Sequence, residues 1–399
     1  MTFIPYGRQC IDDDDIEAVT AVLRGDFLTT GPVVDEFEAE LRKRVGASQA
    51  VVCSSGTAAL HLAMLALDFA PGDVAIVPSM TFAATANAVR YVNGEVVFAD
   101  VDPATGLMRA EDFEEALGRA GGRKVKAVLP VLLAGQGADA VEIAEIADKR
   151  GIAVVEDASH AVGGRYRSRG KEYRVGACGH SLATIFSFHP VKTVAMGEGG
   201  AICTNDVAYA KRMYLLRSHG IERDPEHFKD QVAGHDAAGT VNPWYYEIAE
   251  LGFNYRATDV HCALGLSQLR KIDQFVAKRR ALVARYDRLL NQRLPEVQPL
   301  ARVPDFDAAW HLYAVLIDFV KSGRSRADVM NALRRDGIGT QVHYVPVHRH
   351  PYYRDRYGAL SLPGADLYYA QELSLPLYPQ LTDQDQDRVV DALSAALHD

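Results

Sequence analysis

The sequence predicts an α/β fold, with a mostly parallel central sheet in a large domain and a smaller α/β domain at the C-terminal end. From residue 50 to about 205, short runs rich in β-branched residues alternate with helical patterns. These runs are apolar throughout, as is typical of parallel strands that helices cover on both faces. After Arg256 the alternation gives way to one long amphipathic stretch and then to a different order of elements.

Five apolar runs in the first part are predicted as strands, and the segments between them are long enough for crossover helices. Strands and helices that alternate in this way form βαβ units with helices on both faces of the sheet. Two further runs, 184–188 and 201–204, widen the sheet. The predicted strands are 50–53, 74–77, 96–99, 125–133 and 152–155, and the predicted helices are 57–69, 81–91, 110–117 and 139–150.

The C-terminal part begins with apolar residues at helical spacing between 269 and 290, which predict one long helix that joins two domains. We expect a large domain over residues 1–265 and a small domain over residues 266–399. The polar segment 223–240 is predicted to be a surface loop. Beyond the long helix, strands are predicted at 311–319 and 340–343, and helices at 325–335, near 365–373 and at 383–397.

Composition restricts the class of protein. The 399 residues are 48% hydrophobic and 24% charged, which is typical of a soluble globular chain and excludes disordered and fibrous classes. The net charge of −9 argues against a broad basic surface for nucleic acid but allows a local site for a small anion. The N-terminus has no leader pattern, and the longest apolar run, 127–134, is far shorter than the roughly 20 residues of a membrane helix. The five cysteines are scattered without metal-ligand spacing. We expect a cytoplasmic protein with no metal, no nucleic-acid partner and no membrane segment.

A run of small and hydroxyl residues, 54–60 (SSGTAAL), follows the first predicted strand and opens a helix. Free backbone amides and the positive end of the helix dipole at such a position can bind a phosphate. The alternative is an ordinary N-cap with a tight turn. By itself this segment leaves both interpretations open.

Acidic residues and a histidine stand at the carboxyl end of another predicted strand, in 154–161 (VVEDASHA). Ligands of open α/β sheets gather at that edge, and a carboxylate there can pair with a protonated heterocyclic nitrogen. Asp157 is the candidate for this pairing. The alternative is that Asp157 only caps the next segment.

Lys192 lies on a short polar turn after a strand, in 186–193 (FSFHPVKT), and the glycine-rich segment 197–204 follows it. A lysine whose pKa is lowered by its surroundings can form a Schiff base. Most lysines are solvated surface charges, and the neighbouring motifs are what favour chemistry here. A phosphate site, a strand-end carboxylate and an imine-forming amine are the three parts that a pyridoxal 5′-phosphate (PLP) enzyme needs.

With these motifs in this order, the chain resembles fold type I aminotransferases over essentially its whole length, and specifically the nucleotide-sugar aminotransferase (DegT/StrS) family. The resemblance implies a fold type I PLP-dependent transferase that works as a transaminase. The residues that carry it are 27–32 (FLTTGP), 54–60, 78–82 (PSMTF), 156–161, 187–200 (SFHPVKTVAMGEGG), 252–256 (GFNYR) and 341–344 (QVHY).

The resemblance also implies the roles of individual residues toward PLP. Lys192 forms the Schiff base and moves the proton during transfer, and Asp157 keeps the pyridine nitrogen protonated. His160 lies beside the phenolic oxygen of the ring, where many relatives carry glutamine. Phe82 stacks on the ring, although an aromatic at the start of an apolar helix is also a common core residue. The implied phosphate ligands are Gly56, Thr57 and Ser187, with Asn254 reaching the cofactor of a neighbouring subunit in a homodimer with shared active sites.

Within the family, 187–192 and 341–348 look most like enzymes that aminate C4 of a UDP-linked 4-keto-6-deoxy-N-acetylhexosamine in pseudaminic acid biosynthesis, with glutamate as amino donor. The alternatives are the same chemistry on a GDP-linked 4-ketosugar in perosamine synthesis, on a UDP-sugar of the bacillosamine pathway, or at C3. The candidate substrate-binding residues are Thr29, Gly31, His189, His343 and Tyr344. Of these, His343 and Tyr344 are equally plausible as the end of a strand.

Two hypotheses from other classes remain. Relatives that use PLP for deoxygenation carry histidine in place of the Schiff-base lysine, so Lys192 argues against a dehydratase. A PLP-binding regulator needs a DNA-binding module, and neither an appended helix-turn-helix nor a basic face is visible in the sequence.

Overall fold

The computed structural model describes residues 2–398, and the strands in this range are short and regular. In chain order they are β1 (Gln49–Cys53), β2 (Val74–Pro78), β3 (Glu95–Ala99), β4 (Val125–Val128), β5 (Ala153–Asp157), β6 (Arg165–Ser168), β7 (Lys171–Arg174), β8 (Ala183–Ser187), β9 (Gly200–Thr204), β10 (Ile221–Glu222), β11 (Glu247–Ile248), β12 (Gln298–Pro299), β13 (Phe306–Asp307), β14 (Tyr313–Leu316) and β15 (Glu372–Leu375).

Helices precede, connect and follow these strands. They are α1 (Asp13–Leu23), α2 (Pro32–Val45), α3 (Gly56–Ala66), α4 (Ala83–Tyr91), α5 (Ala110–Arg119), α6 (Ala140–Asp148), α7 (Val207–Arg217), α8 (Gln231–Gly234), α9 (Asp259–Arg270), α10 (Ile272–Arg293), α11 (Phe319–Ser322), α12 (Arg326–Arg335), α13 (Pro351–Tyr357), α14 (Pro363–Gln371) and α15 (Asp383–His398), with 3₁₀ turns at Leu133–Gly135, Pro225–His227 and Val347–Arg349.

The large sheet has seven strands in the order β1-β9-β8-β5-β4-β2-β3. Strand β9 runs antiparallel to both of its neighbours. The other pairs are parallel. Helices α3, α4, α5 and α6 connect the successive strands β1 to β5. The prediction of an α/β fold with a mostly parallel sheet is confirmed.

The sheet is buried on both faces, which explains why its strands are apolar throughout. Val51, Ile76 and Ile185 have no exposed surface, and they belong to one large core cluster. Every second strand residue faces the opposite side of the sheet, so Val52 and Phe186 contribute to a second cluster. Burying such side chains stabilises the fold by about 1.5–3 kcal/mol each.

The predicted strand 125–133 is wrong in its second half, because β4 ends at Val128. Pro130 has no backbone N–H and interrupts the ladder. Beyond it the chain makes only an isolated parallel bridge between Val131 and Asp157, in which the carbonyl of Pro130 accepts a hydrogen bond from the amide of Asp157 at 2.8 Å. The chain then turns through Leu133–Gly135.

The single long helix predicted after Arg256 is in fact two helices, α9 and α10, which meet at Lys271. The Lys271 amine forms ion pairs with Asp12 and Asp15 at the start of α1. Helix α1 packs against α9, as does α2. The sequence analysis did not predict these two N-terminal helices, the β6–β7 hairpin or the short elements within the predicted loop 223–240.

A three-stranded antiparallel sheet, β12-β14-β15, lies in the C-terminal part. The predicted strand 340–343 is wrong, since this segment makes only an isolated bridge between Gln341 and Ser374. The predicted helix near 365–373 ends at Gln371, and strand β15 follows directly. The division into domains of residues 1–265 and 266–399 stays a prediction.

Gly200, at the start of β9, provides a test of close packing beside α3. An added Cβ would lie 2.3 Å from the carbonyl oxygen of Ser55 and 2.5 Å from the amide nitrogen of Gly56. We expect Gly200→Ala to lower the free energy of unfolding by about 1–3 kcal/mol, as overpacking does. Urea unfolding measures the change. Gly118→Ala in α5 is the control, because an added Cβ there meets no atom within 4 Å. It should stabilise the helix by about 0.5–1 kcal/mol. Equal midpoints for Gly200→Ala and the wild type would contradict the prediction.

Candidate active site

A cavity of about 670 Å³ opens at one edge of the large sheet. Strands β2, β5 and β8 run parallel to one another, so their carboxyl ends meet at this edge, and the start of α3 joins them there. The residues that line the cavity include Tyr6, Ser55, Gly56, Thr57, Thr81, Phe82, Asp157, Ser159, His160, Ser187, His189, Lys192, Glu198, His311, Gln341, His343, Tyr344 and His350.

Lys192 is the cavity's lysine, and it lies on the turn that follows β8. Its amide donates a hydrogen bond to the carbonyl of His189 at 2.8 Å, which closes the turn. Burial lowers the pKa of the Lys192 amine from 10.5 to about 8, while attraction to Asp157 opposes this shift. The lower pKa enlarges the neutral, nucleophilic fraction at neutral pH.

Asp157 ends β5, and its carboxylate accepts three hydrogen bonds. One carboxylate oxygen accepts from the hydroxyl of Thr85 at 2.7 Å. The Thr85 oxygen in turn accepts from Thr81, since its own hydrogen goes to Asp157. The other carboxylate oxygen accepts from the hydroxyl of Ser159 at 2.6 Å and from its amide at 3.1 Å. These contacts orient a buried carboxylate at the cavity wall.

The start of α3 has the features of an anion site. Ser55 is the N-cap, and its side chain accepts from the amide of Ala58 at 3.1 Å. The amides of Gly56 and Thr57 stand in the first turn, where no intrahelical acceptor exists. A Cβ on Gly56 would lie 2.9 Å from the Cβ of Ser187, so only glycine lets the Ser187 hydroxyl come beside these amides. Such a terminus binds phosphate through its amides and its dipole.

A group of buried histidines surrounds the lysine. The rings of His160 and His311 have centroids 4.4 Å apart. Burial lowers the pKa of both well below its ordinary value, and the positive charge of Lys192 acts in the same direction. Burial also lowers the pKa of His343 to about 3. These side chains are therefore neutral at physiological pH.

The structure fixes the tautomer of His160. The amide of Ala134 donates to Nδ1 of His160 at 3.3 Å, so Nδ1 carries no hydrogen. The hydrogen of the neutral ring is on Nε2, which lies 3.2 Å from the hydroxyl of Tyr344. His160 is thus a hydrogen-bond donor inside the cavity.

The structure brings most of the predicted site residues into this cavity. It also adds side chains that the sequence analysis missed, above all His311, which lies next to the C-terminal sheet and shares no motif with Lys192. Glu198 also lines the cavity, and it lies in the segment 187–200 that carries the family resemblance, with no role predicted for it. The predicted residues that line the cavity are Gly56, Thr57, Phe82, Asp157, His160, Ser187, His189, Lys192, His343 and Tyr344.

Three predicted site residues lie outside the cavity lining. Thr29 is exposed and bridges to Thr258. The amide of Gly31 donates to the carboxylate of Asp259 at 2.8 Å. Asn254 is exposed and bridges to Ser218. Their roles stay predictions.

The residues present fit PLP. The chemistry of the donor set matches the three polar parts of that cofactor, since amides and a hydroxyl suit its phosphate, a buried carboxylate suits its ring nitrogen and a lysine of lowered pKa suits its aldehyde. The lack of a side chain at Gly56 lets Ser187 pack beside the first amides of α3. Fold and site together are those of a fold type I PLP-dependent aminotransferase.

Comparison with known proteins gives the family. The model of the DegT/DnrJ/EryC1/StrS aminotransferase family matches residues 9–394. The chain belongs to this family and is a PLP-dependent sugar aminotransferase. It is 36% identical over 394 residues to the spore coat polysaccharide biosynthesis protein SpsC of Bacillus subtilis (strain 168), covering 98% of this chain and 96% of SpsC.

Solved structures agree with this assignment. PseC of Helicobacter pylori, an aminotransferase involved in the biosynthesis of pseudoaminic acid, superposes with a TM-score of 0.88 at 27% identity and covers 99% of each chain. Spr1654 of Streptococcus pneumoniae, in its PLP form, superposes with a TM-score of 0.85 at 26% identity and covers 99% of this chain and 98% of its own. The family, the fold type and the cofactor predicted from the sequence are confirmed.

Residues 2–398 contain neither a membrane-spanning helix nor a metal-binding cluster. No helix in that range combines the length and apolar character that a membrane crossing requires. No group of three or more His, Cys, Asp or Glu side chains in the same range is arranged to hold a metal ion.

The buried lysine predicts a pH-dependent stability of the PLP-free protein. Its folded pKa of about 8 lies below the ordinary 10.5, so the unfolded chain binds more protons between these values. The resulting destabilisation is fully present below pH 8, amounts to at most about 3 kcal/mol, and disappears as the pH rises to about 10.5. We expect Lys192→Met to be more stable than the wild type at pH 7, with a gap that closes above pH 8.

Urea unfolding of the PLP-free proteins between pH 7 and pH 10.5 measures this gap. Lys278→Met, at an exposed position of α10, is the matched control and should leave the pH dependence of the wild type unchanged. A gap between wild type and Lys192→Met that is constant with pH would show that the buried amine is not its cause.

Proposed function

We propose that this enzyme aminates C4 of a UDP-linked 4-keto-6-deoxy-N-acetylhexosamine and takes the amino group from glutamate. One observation carries the proposal: Lys192, Asp157 and the start of α3 share one cavity, and a wall of polar side chains extends beyond them. That wall includes His189 and His350, which suit the phosphates and hydroxyls of a nucleotide sugar. The likeness to PseC, which covers 99% of both chains, supports the choice of sugar.

The chain's own residues have distinct parts in this reaction. When bound, PLP supplies an electron sink for the negative charge that develops at the carbon bearing the transferred nitrogen. The Nζ atom of Lys192 binds the cofactor and then moves a proton at that carbon. The carboxylate of Asp157 pairs with the ring nitrogen, and Nε2–H of His160 donates to the phenolic oxygen.

The positions of the other cavity residues support their predicted contacts with the cofactor and the substrate. The Phe82 side chain lies on the cavity wall and is 59% exposed. Its ring is tilted against the ring of Tyr344, with the two centroids 5.9 Å apart, which leaves one face of Phe82 to stack on the cofactor. The amides of Gly56 and Thr57 and the hydroxyl of Ser187 bind the phosphate. On the substrate side we place His189, His343 and Tyr344.

We propose further that the active form is a homodimer with shared sites. Asn254 lies outside the cavity of its own chain, and so do Thr29 and Gly31. The loop before Asn254 exposes large apolar side chains, of which Trp244 is 72% and Leu251 86% exposed. Contiguous exposed apolar surface is typical of a protein interface. Asn254 then reaches the cofactor phosphate of the other subunit.

We also propose that the enzyme is cytoplasmic. All five cysteines are free, three of them buried, as is usual for proteins of a reducing compartment. Nucleotide-linked substrates are consistent with that location.

A panel of 4-keto nucleotide sugars tests the reaction. With glutamate as donor, we expect the UDP-linked 4-keto-6-deoxy-N-acetylhexosamine to be aminated fastest, and product NMR should locate the new C–N bond at C4. Lys192→Ala should lose both the imine absorbance of the bound cofactor and all turnover. A preference for a GDP-sugar, or a new bond at C3, would refute the substrate assignment. Turnover by purified Lys192→Ala would refute the mechanism.

Mixed dimers test the shared site. In a dimer of one Lys192→Ala chain and one Asn254→Ala chain, one site has both residues intact only if Asn254 acts across the interface. We expect co-expressed chains to regain activity that neither variant shows alone at limiting PLP. If Asn254 acts within its own chain, each site of the mixed dimer lacks either Lys192 or Asn254, and co-expression restores no activity.

A further inference from the structure

A chain of hydrogen bonds leads from the core of the C-terminal sheet to the cavity. The Ser374 hydroxyl donates to Oε1 of Glu372 at 2.6 Å, and Oγ of Ser374 lies 2.8 Å from Nδ1 of His343. The amide of His343 donates to Oε2 of the same carboxyl group at 2.9 Å. Glu372 and Ser374 are completely buried, and His343 is 5% exposed.

The positions of the hydrogens follow from these contacts. Ser374 has one hydroxyl hydrogen, which goes to Glu372, so its oxygen accepts from Nδ1–H of His343. Nε2 of His343 then carries a lone pair and is the ring nitrogen that can accept a proton from the cavity. If Glu372 gains a proton, the chain reverses: Glu372 donates to Ser374, Ser374 donates to Nδ1, and the ring hydrogen moves to Nε2. The two states differ by one proton, and the imidazole is neutral in both.

The surroundings favour this exchange over a charged histidine. Burial raises the pKa of Glu372 to about 8, although the hydrogen bonds from Ser374 and His343 and, less than these, the charge of Arg326 oppose the shift. Within the described residues, Arg326 gives its hydrogen bonds to the carbonyls of Tyr369 and Glu372 rather than to the carboxylate. Burial and the charge of Lys192 disfavour the imidazolium form of His343. A proton that enters at His343 is therefore more stable on Glu372.

A purely structural role does not require an ionisable group here. Glutamine could accept the hydrogen bond from the amide of His343 with its oxygen and donate one to Ser374 with its NH2 group, without the cost of a buried carboxyl that has no ion-pair partner. The carboxyl group has one property that the amide lacks, since it can bind and release a proton near neutral pH.

We propose that Glu372, Ser374 and His343 form a proton relay that accepts a proton from the cavity at Nε2 of His343 and holds it on Glu372. This inference rests on the proposed function, in which the ammonium group of the amino donor must lose a proton before its nitrogen can react. One N–H bond of the ammonium breaks as Nε2–H forms. The Nδ1 hydrogen passes to Ser374, whose own hydrogen passes to Oε1 of Glu372. The carboxylate becomes neutral, and the reverse transfer restores it.

His343 is then the catalytic residue of the relay, because it touches the donor, while Ser374 and Glu372 are positioning residues. Other titratable groups face both ends of the relay and set its pH range. They are Tyr6, His160, Lys192, His311 and Tyr344 around His343, and Arg326 and Tyr368 around Glu372.

The tautomer of His343 tests the relay without any turnover. In the PLP-bound enzyme labelled with ¹⁵N-histidine, with the His343 signals assigned by their loss in His343→Asn, we expect the Nδ1–H form at high pH and the Nε2–H form at low pH. The midpoint should lie near the pKa of Glu372, about 8. Glu372→Gln should hold one tautomer at every pH. A single tautomer in the wild type, a charged ring, or a switch that survives Glu372→Gln would overturn the proposal.

The half-reaction with glutamate provides the second measurement, followed by absorbance of the cofactor in a stopped-flow instrument. Ser374→Ala should slow it roughly 10²-fold at saturating donor, within the range of general acid–base catalysis, while the spectrum of bound PLP is unchanged. Ser374→Thr keeps the hydroxyl and should restore the rate. The matched control is Ser79→Ala, which removes another buried Ser–His contact, 2.6 Å from Nδ1 of His348. It should leave the rate near that of the wild type.

An unchanged rate in Ser374→Ala would overturn the relay. A rate profile against pH alone does not decide the question, because the pKa of Lys192 is also about 8. If glutamate fails to react with the wild type, the proposed donor is wrong, but the tautomer measurement still tests the relay. The two failures are thus distinguishable.

Discussion

The parallel direction of β2, β5 and β8, which β4 joins into one sheet, is the constraint on which the rest of the site depends. It brings the ends of three strands to one edge, although Phe82, Asp157 and Lys192 are far apart in sequence. The antiparallel strand β9 completes the edge, because Gly200 lets the turn at Ser55 and Gly56 approach the sheet at a distance that no side chain would permit. A rigid edge of this kind holds each group in place before any ligand binds.

Burial then determines what these groups can do. The same desolvation lowers the pKa of Lys192, keeps His160, His311 and His343 neutral, and raises the pKa of Glu372. The result is a cavity in which the histidines are neutral hydrogen-bonding groups. The amides at the start of α3 and the hydroxyl of Ser187 offer an anion hydrogen-bond donors that need no cationic side chain, so a net charge of −9 is compatible with a phosphorylated cofactor.

Local pattern predicted the elements whose environment is simple. The strands of the large sheet are apolar runs between two helical layers, so their pattern survives in the sequence, and the motifs around Asp157 and Lys192 could be located at strand ends. The errors fall where another segment decides the outcome. Strand β4 ends early because Pro130 has no N–H for the ladder, and the chain beyond it makes only an isolated bridge with Asp157. The segment 340–343 is not a strand because the amide of His343 donates its hydrogen bond to the side chain of Glu372 and not to a strand backbone.

The sequence by itself determined the class of fold, the cofactor and ten of the residues that line the cavity, because strand ends and helix starts carry local signals. Only the tertiary structure decided that His311 joins His160 beside Lys192, that Asn254 lies away from its own chain's cavity, and that Glu372 and Ser374 stand behind His343. These are contacts between residues distant in sequence, or hydrogen bonds within a strand pairing. Neither leaves a periodic pattern, since each depends on the distance and burial that folding creates.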